Sequence, residues 1–183
     1  MVNNVIQTNY QRYQSPGFPG APSRPGACFE LLKLYVPASG ESRGVRPGDA
    51  VYWNATNNAV ALPTNAAQRL QVIGPVIYEV GSLATSSGFA IPASGNSDVG
   101  VQYNDGDTVK VMTFGYFWAI TNTVAEFDSY MIWDHSANHW QVGSIPTTGN
   151  NVSEILPRRV FSCVSPAASA NSLCEIMVNG RVF

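Results

Sequence analysis

Gly, Pro, Asn and Asp punctuate this chain so often that no segment sustains the apolar period of about 3.6 residues that a packed helix needs. Turn signals return instead at the spacing of about 8–12 residues expected where short strands follow one another. Asn57-Asn58, Asn104-Asp105-Gly106-Asp107 and Asn179-Gly180 each sit between apolar runs, as hairpin turns do. The consequence is an all-β fold.

The runs between these turns give roughly nine or ten strands. Residues 28–36 (CFELLKLYV) are long and apolar enough for a strand covered on both faces. Residues 50–53 and 59–62 are short strands, and 66–70 allow one helical turn. Residues 71–80 read as a strand interrupted by Gly74-Pro75, which suits a bulge or an edge position. Residues 99–103 are a further candidate. Residues 108–112 alternate as a half-buried strand should, and 115–120 form a separate, aromatic strand. Residues 130–133 and 140–142 flank a six-residue hairpin loop, 134–139. Residues 160–164 and 174–178 complete the set. Strands in this number predict a β-sandwich or jelly-roll-like barrel over residues 28–183.

Residues 1–27 differ from the rest. Pro16-Gly17-Phe18-Pro19-Gly20-Ala21-Pro22 and Arg24-Pro25-Gly26 place a proline or glycine every two or three residues. Each proline removes a backbone donor and biases its predecessor to extended geometry. This stretch is therefore expected to be an extended arm, ordered where it lies on something else. Tyr10, Tyr13 and Phe18 are its anchoring side chains.

Composition narrows the function. The 183 residues are 45% hydrophobic, ample for a core, yet only 12% charged, about half the usual share. Low charge suits a surface that other subunits cover. A formal net charge of −2, with Arg158-Arg159 the one dense basic spot, argues against nucleic acid as the main partner. No run approaches the roughly 20 apolar residues of a membrane span, and residues 1–14 lack a signal-peptide pattern. The expectation is no membrane and a cytosolic origin. Cys28, Cys163 and Cys174 lack metal spacing and are expected as reduced thiols, at least two of them buried. Cys163 and Cys174 could bridge only if their strands are neighbours. Asn54-Ala55-Thr56 and Asn151-Val152-Ser153 match the glycosylation pattern, a chance match without a secretion signal.

Candidate chemistry is sparse. Asp134, His135 and His139 could ligate a metal, but their spacing falls in a hairpin loop, where an exposed tip is the plainer reading. Glu126 and Asp128 share a face if 124–130 is a strand, and Asp105 with Asp107 flank a glycine. The Asp105–Asp107 pair lacks the further ligands of a calcium loop, and a turn is its plainer reading. The nucleophile elbow, phosphate-binding loop and dinucleotide fingerprint are all absent from the sequence. No catalytic residue, metal or cofactor is expected. Tyr116, Phe117 and Trp118 could stack on sugar, although alternation along a strand turns about half of such rings into the core.

Several of these stretches resemble a known family. Val45-Arg46-Pro47-Gly48-Asp49-Ala50-Val51-Tyr52 followed by Leu70-Gln71-Val72-Ile73-Gly74-Pro75-Val76-Ile77-Tyr78-Glu79 is similar to a "GD-x-V-Y … IGVV-x-YE" cadence of tailed-bacteriophage capsid cement (head decoration) proteins. Residues 103–119, with Tyr103, Gly106-Asp107, Val109, Val111, Gly115 and Trp118, resemble that family's "Y-x-x-GD-x-V-x-V … G-x-x-W-V" stretch. The hairpin at 130–142 and the strand at 174–179 follow in the same order, so the resemblance spans about residues 45–180. It implies a non-enzymatic virion protein, commonly a homotrimer, clamped on the major capsid protein across subunit junctions after assembly in the host cytoplasm. Tyr10, Arg12, Tyr13, Phe18 and Arg24 in the arm are then the candidate capsid or trimer contacts. The alternative is a carbohydrate- or receptor-binding β domain of a tail fibre or similar appendage, which needs exposed rings at Trp118, Trp133 or Trp140.

Overall fold

Backbone pairing among the described residues is antiparallel but for isolated contacts. A computed structural model describes residues 19–24, 28–41, 43–77, 102–144 and 159–180. Among these residues the strands are β1 (Phe29–Leu34), β2 (Ala50–Asn54), β3 (Ala59–Ala61), β4 (Val72–Ile77), β5 (Thr108–Thr121), β6 (Met131–Asp134), β7 (His139–Val142), β8 (Arg159–Ser165) and β9 (Ser172–Gly180). One short helix, α1 (Ala66–Leu70), begins at Asn65, whose side chain accepts the Gln68 amide. The all-β class follows.

The long strand β5 organises everything else. Its first half pairs with β1 on one flank (Leu31 opposite Val111) and with β4 on the other (Val76 opposite Val111). Its second half pairs with β9, from Gly115 opposite Val178 to Thr121 opposite Ser172, and meets β7 at Trp140. β2 and β3 extend the first half beyond β4, and β8 extends the second beyond β9. The sequence predicted two strands where this single one runs. Gly115, at φ 130°, is what lets the chain continue from one ladder to the next.

Interior side chains from both halves merge into one cluster. Trp140 touches Phe117, Trp133 and Phe161 with ring centroids 5.6, 5.7 and 4.8 Å away. Its indole N–H donates to the Gly48 carbonyl at 2.7 Å, joining the second half to the loop before β2. Rings of this size each bury about 150–250 Å² and dominate the packing. Cys163 and Cys174 are buried beside them and Cys28 is part-buried, all three as free thiols.

Three local expectations need correction or refinement. β4 is an interior strand, buried along its whole length, so Gly74-Pro75 does not mark an edge. The bulge is there, in β4 itself: Val51 and Tyr52 are consecutive on β2, but their partners Gly74 and Val72 leave Ile73 as the extra residue. A Cβ at Gly74 would lie 1.8 Å from the Met112 carbonyl oxygen, which explains the glycine. Tyr103 forms a single bridge to Val45, and residues 99–101 lie outside the described ones. β1 is the larger surprise. It was expected to be covered on both faces, yet Phe29, Leu31, Leu32 and Leu34 are all exposed. An apolar run records only that burial is wanted, and a strand at a sheet margin can meet that demand in an interface as well as in a core.

Candidate functional site

The end of the arm that the structure describes docks on the chain's own sheet. Gly20 N–H donates to Trp118 O, Trp118 N–H to Ala21 O, and Ser23 N–H to Tyr116 O. These bonds place Pro22 opposite Phe117, on the flank of β5 away from β9. None of the three bonds needs a donor from Pro22, so proline is tolerated in an extended segment on a strand's flank. The side chains reinforce the docking. Ser23 Oγ and Arg24 both donate to the buried carboxylate of Glu175 on β9, with Arg24 Nε at 2.9 Å, and the guanidinium lies 4.0 Å from the Tyr116 ring. Arg24, expected as a capsid or trimer contact, therefore has its charge engaged within the chain. Tyr10, Arg12, Tyr13 and Phe18 lie outside the described residues.

The residues that could suggest catalysis are spent on turns. Asp134 and His139 face each other at the base of a hairpin with a four-residue tip. The Asp134 carboxylate accepts the amides of Ser136 and Ala137. Asp107 likewise accepts the Asn104 amide. Residues 126–129 form a turn rather than a strand, with Asp128 at φ 64°, so Glu126 and Asp128 do not share a strand face. Trp118, Trp133 and Trp140 are all interior, so they build no platform for a sugar.

Half-buried Glu41 and buried Asp49 have a structural role that the sequence reading did not assign them. Glu41 accepts the amides of Ala38 and Leu62 and the hydroxyl of Tyr35, and burial pushes its carboxyl above the usual carboxylate range. Asp49 grips Arg43 at 2.6 and 3.0 Å and accepts the Arg46 amide at 2.6 Å. Burial raises its pKa as well, against the pull of Arg43. Each acid ties loops together, and each has its oxygens occupied. Composition gave no sign of them, because a single acid in a loop looks the same whether solvated or buried.

What the surface of the described residues offers instead is two apolar patches. One patch is β1 with Phe114. The other is a loop carrying Val124 and Phe127, the latter 71% exposed. That loop is held firmly: Ala125 exchanges both bonds with Ala167, Asp128 N–H donates to Cys163 O, and Cys163 N–H to Ser129 O. Ser129 Oγ closes the turn by accepting the Glu126 amide. A rigid loop presenting a bare aromatic is the form an interface anchor takes.

The sequence model of a structural cement protein family, that of E217 gp24 and Pam3 gp6, matches residues 6–179. The chain belongs to the phage structural cement proteins. Among solved structures, a chain from the capsid of Myoviridae phage XM1 shares its fold, with a TM-score of 0.52 over 94% of this chain and 96% of that one, at 14% identity. No curated protein matches the sequence. This cement protein is thus a structural, non-enzymatic component of a phage capsid, as the resemblance implied.

Proposed function

We propose that this cement protein binds the outer surface of the major capsid protein shell, as a homotrimer, and holds the head together across subunit junctions. Family membership over residues 6–179 carries this reading. The firmly held loop with Val124 and Phe127 supports it as the surface that meets the capsid. Residues 1–18 act as a second grip, on the capsid or on a neighbouring copy, with Tyr10, Arg12, Tyr13 and Phe18 as contacts. Each site contributes modestly. A shell presents many equivalent sites, however, and a trimer engages three at once, so avidity multiplies weak contacts by about 10²–10⁴.

The test mixes purified protein with undecorated shells and measures bound copies by sedimentation and native mass. Deletion of residues 1–18 is the informative truncation, since it leaves 19–24 docked on β5. Full-length protein should coat the shells as trimers, and the deletion should coat them more weakly. A full-length protein that leaves shells bare would refute the proposal.

A further inference from the structure

Edge strands with apolar faces pair with whatever strand they meet, so folded proteins guard them with charge, proline or a covering element. Among the described residues no element covers β1, apart from the single bridge of Tyr35 to Val60 just past its end. Its one ladder among the described residues is to β5. It carries two charges, and both are drawn back into the chain. Lys33 sits over the Trp53 ring, 4.7 Å from its centroid, and Glu30 pairs with Lys110 at 3.5 Å. What remains is Phe29 at 70%, Leu31 at 44%, Leu32 at 65% and Leu34 at 44% exposure, with Phe114 beside them at 39%. These side chains leave on the order of 500 Å² of apolar surface open, more than half of the roughly 800 Å² that one partner contributes to a standard interface. Alternation along the strand puts Leu31 on one face and Leu32 and Leu34 on the other, so a flat partner can cover only one face.

We infer that β1 is the seam at which a second copy of this chain joins, edge to edge. This rests on the cement reading and adds the surface through which copies assemble. The occupant is a second copy rather than a capsid subunit because the edge needs closing before any shell is met. A chain that is 12% charged and released with this strand bare would aggregate at synthesis. The partner always present at matching concentration is itself. Capsid binding is left to the other apolar patch, at Val124 and Phe127, which sits on a turn and offers no strand to extend.

The experiment is native mass across a dilution series for the wild type, Leu32→Lys and, as an equal charge placed on an exposed turn, Thr56→Lys. Coating of undecorated shells is measured in parallel. Leu32 is exposed, so its replacement leaves the core intact, which circular dichroism checks. Wild type and Thr56→Lys should form the same oligomer, and Leu32→Lys should self-associate at least about tenfold more weakly. A wild type that stays monomeric throughout, or a Leu32→Lys protein with unchanged mass, overturns the inference. If such a protein still coats shells, the cement reading stands without it. If self-association through β1 is found and shells stay bare, the seam stands and the capsid-binding reading falls.

Discussion

Glu41 sits beneath Leu62 and Tyr35 with its oxygens fully engaged, and its raised pKa has a direction that experiment can read. In the folded chain the carboxyl holds its proton at a pH where the unfolded chain has released it. The stability it contributes is therefore fully present in acid and lost as pH climbs from about 4.5 through the raised value. Denaturant titrations across that range should show the wild type losing its margin over Glu41→Gln as pH rises. A margin that grows with pH would reverse the assignment. Arg24 belongs to the same scale. Replacing it by Ala leaves Glu175 buried with Ser23 as its remaining side-chain donor, and should cost about 1–2 kcal/mol, measured by urea unfolding. The cost falls below that of a fully buried pair because half of the Arg24 side chain faces solvent.

At the scale of elements, β5 decides most outcomes. Gly115→Ala forces a side chain onto a backbone at φ 130° and should destabilise by about 2 kcal/mol, seen as a lower melting temperature with an unchanged unfolding slope. Most elements could be read in advance, and the reasons are local. Asn58 and Asn138 adopt the left-handed geometry that their hairpin turns require, and Asn is among the residues that accept it. α1 spans the residues that had allowed a helical turn. Two features escaped. The continuity of β5 was hidden because Gly115 reads as a break, although here it is a hinge between ladders. The exposure of β1 was hidden because hydrophobicity names no partner. The docking of residues 19–24 was half legible: their extended form followed from Pro22 and its neighbours, but a pairing with residues nearly a hundred positions away leaves no local trace. Glu175, the side chain that fixes that docking, had no pattern to betray it.

For the whole molecule, the two contacts proposed above divide its surface between two partners. Phe127→Ala removes an exposed ring from a well-tied loop, so melting temperature should hold while shell coating weakens by at least about tenfold, the size of an interface anchor's loss. A Phe127→Ala protein that coats shells as well as the wild type would move the capsid contact elsewhere. The docked segment at residues 19–24 bears on a different property, mechanical strength. It runs antiparallel along β5, with three backbone hydrogen bonds and the Arg24–Glu175 clasp spaced along the same line. Tension arriving through the preceding residues would pull lengthwise on this segment. The bonds would then be strained together in shear instead of opening one after another like a zip, and rupture would demand that several fail at once.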